Sequence, residues 1–184
     1  TISRAKYTST LPCSFMLVAS MNPCPCGYYN DPHHACTCSP AQVQRYMSKI
    51  SGPLLDRIDI QIEVAPVSVS ELAHAPKGES SADIRQRVVA ARAIQTERYK
   101  DEPGVHCNAQ MLRSMLERHA RLDDEASATL SRAMKRLDLS ARAYDRILKV
   151  ARTIADLAAS PDIRSEHIKE AIGYRNLDRA GWGE

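Results

Sequence analysis

The sequence predicts a mixed α/β fold that is mainly helical, in which two strands and a cysteine-rich loop precede a helical bundle. An uninterrupted apolar run at residues 15–19 is typical of a strand buried on both faces. Residues 57–64 instead alternate between apolar and polar side chains, which predicts a half-exposed strand at a sheet edge. After residue 82, apolar residues recur every three or four positions, which is the periodicity of amphipathic helices.

Length and composition are typical of a globular protein. The 184 residues are 43% hydrophobic and 26% charged, which is enough for one ordinary domain or two small ones around a real core. The net charge of +3 is too small to predict a polyanionic partner, so any contact with nucleic acid must be local. The longest apolar run is far shorter than the roughly 20 residues of a membrane span. We therefore expect a cytoplasmic protein without a membrane partner.

A change in composition near residue 82 predicts a domain boundary, with one domain over 1–82 and a helical domain over 83–184. Five of the six cysteines lie before this point, and 19 of the 25 basic residues lie after it. The stretch at 65–81 is rich in alanine, serine and proline, as is typical of a linker.

Capping residues predict where the helices begin. Ser39, followed by a proline, predicts a helix over 41–50, and Ser81 or Asp83 is expected to cap a helix that ends near residue 100. In that helix the predicted apolar stripe is Ile84, Val88, Ala91 and Ile94. Four further helices are expected to start at Asn108, Asp123, Ser140 and Ser165. The second half is therefore predicted to be a bundle of four or five helices.

Four cysteines form two CxC pairs separated by nine residues, namely Cys24, Cys26, Cys36 and Cys38. Four thiolates at this spacing can converge on one ion, and tetrahedral zinc favours four sulfur ligands. A closed shell of four cysteines leaves no open coordination position, so the predicted Zn²⁺ is structural rather than catalytic. His33 and His34 could replace one thiol, and free thiols, disulfides and an iron–sulfur cluster are the alternatives. Cys13 and Cys107 are expected to be buried as small hydrophobic residues.

Four motifs follow one another along the chain. They are LVASMNPCPCG at 17–27, SGPLLDRID at 51–59, SARAYDRILKVARTIAD at 140–156 and HIKEAI at 167–172. In this order, and spanning nearly the whole chain, they resemble the magnesium chelatase-like AAA+ ATPases of the ComM/YifB group. The resemblance implies that 1–82 is the C-terminal part of an AAA+ core and that 83–184 is its helical lid.

The resemblance also implies roles in ATP hydrolysis for three residues. Asn22 matches sensor 1, which helps orient the water that attacks the γ-phosphate, and Arg142 matches sensor 2 on the lid, so both would contact ATP. Arg57 matches the arginine finger, which reaches the nucleotide of a neighbouring subunit. Each residue also has an ordinary interpretation: a turn Asn before proline, a solvated helix Arg, and an ion pair of Arg57 with Asp56 or Asp59.

The first six residues, TISRAK, resemble the pre-sensor-1 hairpin of related ring helicases such as the minichromosome-maintenance proteins. Under this resemblance Arg4 and Lys6 would contact the DNA backbone in the pore of a ring. The alternative is that they are two ordinary basic residues at the surface, since a phosphate contact needs only a positive side chain.

The sequence contains neither GxGxxG nor GxxxxGK followed by Ser or Thr. We therefore expect a C-terminal fragment of a longer protein, inactive by itself because it lacks the phosphate loop and the magnesium ligand. The resemblance implies a parent that forms a ring, expected to be a hexamer, binds ATP and Mg²⁺, and drives helicase-like branch migration of DNA in natural transformation and recombination. The alternatives are the ATPase subunit of a magnesium chelatase complex and a zinc-stabilised interaction module.

Overall fold

The structure, a computed structural model, describes residues 2–11, 15–67, 73 and 78–175. Within these ranges the chain contains a two-stranded sheet followed by seven α-helices. The mainly helical α/β fold expected from the sequence is confirmed. Cys13 and most of the predicted linker lie outside the described residues. No helix in the described ranges is both long and apolar enough to cross a lipid bilayer.

The sheet is an antiparallel hairpin near the start of the chain. Strand β1 (Ile2–Arg4) pairs with β2 (Tyr7–Ser9), and Arg4 lies opposite Tyr7 beside the turn that contains Lys6. Every residue of both strands is exposed, so the hairpin buries no side chain against the rest of the described chain. The segment that resembles a pre-sensor-1 hairpin therefore does form a hairpin.

Neither of the two segments predicted as strands forms one. Residues 15–19 and 57–64 have irregular backbone, apart from an isolated bridge between Gln61 and Arg175. Met16 and Val18 are 87% and 82% exposed, although their pattern predicted burial on both faces. A strand requires hydrogen bonds to a neighbouring strand, and the described residues supply no ladder partner to either segment. Apolar patterning indicates which residues suit a strand, whereas pairing decides whether one forms.

Helix α1 (Pro40–Met47) covers the cysteine loop, and a single helical turn, α2 (Gly52–Leu55), follows it. Ser39 caps α1 as predicted: its side chain and that of the residue three positions later each bond the other's backbone N–H. Val43 and Met47 of α1 are buried together with the first cysteine of the loop in a small core of their own. The loop and α1 therefore pack as one module.

The second half is a bundle of five helices, as predicted: α3 (Ser81–Arg98), α4 (Arg113–His119), α5 (Asp124–Arg136), α6 (Ala141–Leu157) and α7 (Ser165–Gly173). Helix α6 is central, because it packs against α3, α4 and α7, and α7 also packs against α5. The largest fully buried apolar side chains of this core are Leu130, Ile147, Ile163 and Ile168.

Two of the predicted helix starts require correction. The N-cap of α3 is Ser80, one residue before the predicted Ser81. Asn108 begins only a short 3₁₀ turn, and α4 starts five residues later, at Arg113. Asn108 does not cap a helix because its side chain is engaged in a buried hydrogen-bond network with α6. The caps predicted at Asp123 and Ser140 are confirmed.

The apolar stripe predicted for α3 is mostly exposed. Ala91 is buried, whereas Ile84, Val88 and Ile94 are 43%, 46% and 37% exposed. All of the first ten residues of the helix are exposed, so its apolar residues there lie outside the buried core of the described chain. Only the C-terminal half of α3 contributes to the core, through Ala91 and Gln95. Cys107 was also expected to be buried and is only half-buried.

A buried carboxylate, Asp156, joins three elements of the bundle. It accepts hydrogen bonds from Arg98 of α3 at 2.5 and 2.7 Å, from Asn108 at 2.8 Å and from Arg152 at 3.1 Å. Burial alone would raise the pKa of Asp156, but the bonds from Arg98 and Asn108 and the positive charges of Arg152 and Arg98 outweigh it and lower the pKa. The carboxylate is therefore charged in the folded bundle.

Asp156→Ala should lower the free energy of unfolding by about 3–5 kcal/mol, because it leaves two arginines in the bundle without their anion. Urea denaturation followed by circular dichroism measures this. The matched control is Glu79→Ala, which breaks an exposed pair with Arg87 and should change the free energy by less than about 1 kcal/mol. A loss as small as that of the control would contradict the role of Asp156.

The lowered pKa of Asp156 also predicts that the stability difference between wild type and Asp156→Ala depends on pH. The pKa of Asp156 is lower in the folded protein than in the unfolded chain, where an aspartate titrates at about 3.9. Its contribution is therefore fully present above that pH and is lost as the pH falls through the folded pKa. The stability difference between wild type and Asp156→Ala should shrink as the pH is lowered below about 4.

Candidate functional site

The four cysteines of the CxC pairs converge in the folded chain. The Sγ atom of Cys24 lies 3.2 Å from that of Cys26 and 3.7 Å from that of Cys36, and Cys26 and Cys36 are 3.5 Å apart. All four sulfurs, including that of Cys38, lie within 4.8 Å of one another. Zinc bound tetrahedrally at about 2.3 Å per Zn–S bond requires sulfurs about 3.8 Å apart. The cluster therefore has the donor set and the spacing to hold one zinc ion.

Tight turns bring the two CxC pairs together. Gly27 adopts φ +88°, and its N–H donates to the carbonyl of Cys24 at 3.1 Å, which closes the first pair into a turn that favours glycine. Asp31 holds the tip of the loop, because its carboxylate accepts from the backbone N–H groups of His33 and His34 at 2.7 and 2.9 Å. Asp31 thus stabilises the backbone at the tip of the loop.

The geometry of the loop does not match a site with a histidine ligand or a disulfide. The metal-ligand group found in the described chain comprises the four cysteines without His33 or His34. His34 packs against the ring of Tyr28 at 4.9 Å between centroids and lies 3.4 Å from Asp31. The cysteines are unbridged, at sulfur separations well beyond the roughly 2.05 Å of a disulfide.

The crowded sulfurs perturb one another's ionisation. Backbone N–H groups of Tyr28 and Thr37, together with the Cys24 thiol, lower the pKa of Cys26 to about 5. The N–H of Cys38 lowers the pKa of Cys36, but burial and the neighbouring sulfurs raise it, to about 12. The loop therefore stabilises one thiolate and disfavours a second beside it. The positive charge of a bound dication would offset this repulsion and would favour the thiolate form of each coordinating cysteine.

Asn22, matched to sensor 1, lies beside the cysteine turn. It is exposed, and its Nδ2 atom is 3.9 Å from where a side chain on Gly27 would begin. The buried strand expected to precede it is not formed. Cys24, the first cysteine of the module, follows two residues later.

Arg57, matched to the arginine finger, is exposed just after α2. Its Nη1 donates to the carbonyl of Pro53 at 2.6 Å, and within the described residues it forms no ion pair. The ordinary interpretation, a pair with Asp56 or Asp59, is wrong, because both acids are engaged elsewhere. Asp59 pairs with Arg146 of α6.

Asp56 joins residues 56–61, which contain Arg57 and which we call the finger segment, to the start of α6. Its carboxylate accepts from the hydroxyl of Ser140 and from Arg142, each at 3.0 Å, and lies 3.5 Å from Arg175. Burial raises the pKa of Asp56, but the bonds from Arg142 and Ser140 and the charges of Arg175 and Arg142 lower it overall. Arg142, matched to sensor 2, is thus paired with the residue that precedes Arg57. We call Asp56, Ser140, Arg142 and Arg175 the arginine junction.

Sequence reasoning missed most of the arginine junction. Asp56 lies inside the SGPLLDRID motif, and the sequence suggested it only as an ion-pair partner of Arg57. No motif or spacing in the sequence pointed to Arg175. Ser140 was predicted as a helix cap, and it both caps α6 and donates to Asp56. The structure therefore brings Arg57 and Arg142 together through Asp56, while Asn22 stays with the cysteine module.

Arg4 and Lys6 lie on the exposed hairpin. The described residues form no ion pair with either of them. Both charges are available to a ligand, and no described contact joins them to the cysteine module or to the arginine junction.

Purified chain should contain one zinc ion, and Cys24→Ser or Cys36→Ser should lower the zinc content, because each removes one of four ligands. Atomic absorption measures the metal. Cys107→Ser is the matched control and should keep its zinc, since Cys107 lies outside the cluster.

Chelation should unfold the loop at 22–39 and leave α3–α7 folded, because the cysteine module and the bundle have separate cores. Hydrogen exchange resolves the two regions. Undiminished zinc in both ligand variants would contradict the assignment.

Two family models match the chain. The model described as magnesium chelatase, subunit ChlI, matches residues 1–72, and the model described as magnesium chelatase, subunit ChlI C-terminal, matches residues 78–175. The first match contains the hairpin, the cysteine module and Arg57, and the second contains the five-helix bundle.

Several curated proteins are similar to nearly the whole chain. The competence protein ComM of Haemophilus influenzae is 42% identical over 97% of this chain, and YifB of Escherichia coli is 41% identical over 97%. The protein Rv2897c of Mycobacterium tuberculosis is 35% identical over 95% of it. Each match covers 34% of the relative, so the chain spans about a third of the length of these proteins. With one family model covering more than half of the chain and these relatives covering nearly all of it, the chain belongs to the magnesium chelatase-like family and, within it, to the ComM/YifB group.

Proposed function

We propose that this chain is the sensor, arginine-finger and lid part of an AAA+ ATPase that uses ATP and Mg²⁺ to remodel DNA. In the full-length protein it acts in the cytoplasm as part of a ring, expected to be a hexamer. The cysteine module binds zinc as a structural ion that holds the loop after Asn22. The chain by itself hydrolyses essentially no ATP, since it contains no glycine-rich phosphate loop.

The observation that best supports the ATPase proposal is that Arg57 is exposed and forms no ion pair among the described residues. An arginine finger must project toward a neighbouring subunit while its main chain is held in place. Arg57 is exposed and has no carboxylate partner among the described residues, even though acids flank it at positions 56 and 59. Since Asp56 and Asp59 are bound by lid arginines, the charge of Arg57 is available for a phosphate.

Arg142 fits a sensor role through its present partner. It is 54% exposed at the start of α6 and pairs with Asp56. A carboxylate and a phosphate oxygen present similar acceptors to a guanidinium, so Asp56 occupies the site on Arg142 that a γ-phosphate would take. Together Arg57 and Arg142 provide two cations near the same junction.

The DNA part of the proposal depends on the hairpin and on the relatives. Arg4 and Lys6 are exposed on a hairpin that buries nothing, as suits a loop that contacts a backbone phosphate. One relative, 42% identical, is named a competence protein, which favours a role in handling incoming DNA. We propose branch migration, with helicase-like motion along DNA, as that role.

A second candidate function is the ATPase subunit of a magnesium chelatase complex, because both matching family models are described as subunit ChlI of that enzyme. The two functions differ in what stimulates ATP hydrolysis. DNA should raise the ATPase rate of the full-length protein under our proposal and leave it unchanged under the alternative.

In the full-length protein, Arg57→Ala and Arg57→Lys should each lower kcat by about 10³-fold or more, because Lys cannot provide the planar fork that matches phosphate oxygens. Steady-state ATPase assays measure this, with folding checked by melting temperature. Mixing Arg57→Ala subunits with subunits that lack the phosphate-loop Lys should restore part of the activity, since each defect lies on a different side of a shared site.

Arg85→Ala is the matched control, because Arg85 is also exposed and unpaired among the described residues. It should keep the wild-type kcat. The arginine-finger assignment fails if Arg57→Ala retains full activity, or if Arg57→Ala loses activity only in proportion to lost folding.

The hairpin should contribute to DNA affinity through charge alone. Arg4→Ala and Lys6→Ala should each weaken DNA binding by the full-length protein and reduce the slope of log K against log salt by about 1. Fluorescence anisotropy at several salt concentrations measures both effects. Thr8→Ala, on the facing strand of the hairpin, is the neutral control. An unchanged salt slope in both charge variants would show that the hairpin does not contact DNA phosphates.

A further inference from the structure

We propose that Arg175 is a positioning residue for Arg57: it holds the main chain on both sides of the finger residue and so sets the direction in which Arg57 projects. This inference rests on the proposed role of Arg57 as an arginine finger. Arg175 follows the last helix of the lid, and 118 positions of sequence separate the two residues.

The contacts of Arg175 flank Arg57 on both sides. Its Nη1 donates to the carbonyl of Ile58 at 3.0 Å, and its Nη2 donates to the carbonyl of Asp56 at 3.4 Å. The same Nη2 lies 3.5 Å from the carboxylate of Asp56. One guanidinium therefore binds the residue before the finger and the residue after it.

Arg175 is itself held in place. Its side chain is 1% exposed, and it lies directly after α7, whose Ile168 and Ala171 belong to the lid core. The backbone beside it pairs with the finger segment, because the N–H of Gln61 donates to the carbonyl of Tyr174 at 2.7 Å. The guanidinium is thus a rigid extension of the lid.

The finger segment is also held by α2, but only through its N–H groups. The N–H groups of Asp56, Arg57 and Ile58 donate to α2 carbonyls at 2.8, 2.9 and 3.0 Å, which leaves the carbonyls on either side of Arg57 to other donors. The side chain of Gln61 closes this loop by donating to the carbonyl of Leu55 at 3.0 Å. Within the loop, the two carbonyls bound by Arg175 are those on either side of Arg57. The main chain at Arg57 is therefore held by α2 through its N–H groups and by the buried Arg175 through the carbonyls of Asp56 and Ile58.

A lysine at this position could not replace Arg175. The planar fork of a guanidinium presents separate N–H groups to two carbonyls at once, whereas an ammonium is a compact point charge. Arg175→Lys keeps the charge beside Asp56 and loses the two-sided contact. Positioning of a transition-state group affects kcat rather than the affinity for substrate, so the two effects can be separated.

The test uses the full-length protein. Arg175→Lys should lower kcat at least 10-fold and leave the KM for ATP nearly unchanged, because ATP binding does not require the finger. In single-turnover assays the rate of the double variant Arg57→Ala with Arg175→Lys should lie within about 2-fold of the rate of Arg57→Ala. Without the finger, Arg175 has no side chain to position. Arg175→Lys subunits should also regain activity when mixed with subunits that lack the phosphate-loop Lys.

Arg152→Lys is the matched control. Arg152 is a buried arginine that also donates to two backbone carbonyls, those of Ser160 and Pro161, but it lies in the bundle core away from the finger. It should lower the melting temperature and keep kcat per folded ring within about 2-fold of wild type. Arg175→Gln, which keeps one neutral donor group, is a second variant for the case that Arg175→Lys does not assemble.

The outcomes distinguish this inference from the proposed function. If Arg57→Ala is fully active, the finger assignment fails, and the inference fails with it. If Arg57→Ala is inactive while Arg175→Lys keeps wild-type kcat, only the positioning role fails. The positioning role also fails if the kcat loss from Arg175→Lys multiplies fully with the kcat loss from Arg57→Ala in the double variant. It fails as well if neither Arg175 variant assembles under conditions where Arg152→Lys does. In either case Arg175 would be a structural residue.

Discussion

The buried carboxylate of Asp156 constrains the helical half of this protein. A charge removed from water must be met by partners with fixed geometry, and here the partners come from α3, from the turn at 108–110 and from α6 itself. Asn108 also accepts from the hydroxyl of Tyr99 and donates to Thr153, so the network is directional where the surrounding aliphatic core is not. The network therefore favours the arrangement in which all of these partners are satisfied.

The finger segment is held by α2 and by the end of that bundle. Residues 56–61 form no helix or strand, and their backbone bonds to α2 and to Tyr174 and Arg175, the two residues after α7. Asp56 and Asp59 bind the arginines of α6, which neutralises the acids nearest to Arg57. The segment thereby keeps an exposed cation between two acids without an internal ion pair. The helical bundle therefore forms ion pairs with a segment that lies outside it in sequence.

The cysteine module is stabilised by a different kind of interaction. Its apolar core is small, with Val43 and Met47 of α1 packed on Cys24 and its neighbours. Backbone N–H groups and the Cys24 thiol lower the pKa of Cys26, whereas burial and the neighbouring sulfurs raise that of Cys36. A metal ion bound by the four cysteines would add to so small a core, because binding free energy becomes folding free energy in such a site. Asn22 lies beside this module, and no strand precedes it in the described chain.

The sequence by itself determined what depends on near neighbours. The caps at Ser39, Asp123 and Ser140 are correct because a capping bond spans three residues, and the cysteine set is correct because its spacing is local. The tertiary structure decided the rest: the exposure of residues 15–19, the side chain of Asn108 and the partners of Asp56 and Arg175. Those contacts join residues 48, 86 and 117 positions apart. Residue type states what a side chain can bind, but packing of distant elements determines which partner lies within reach.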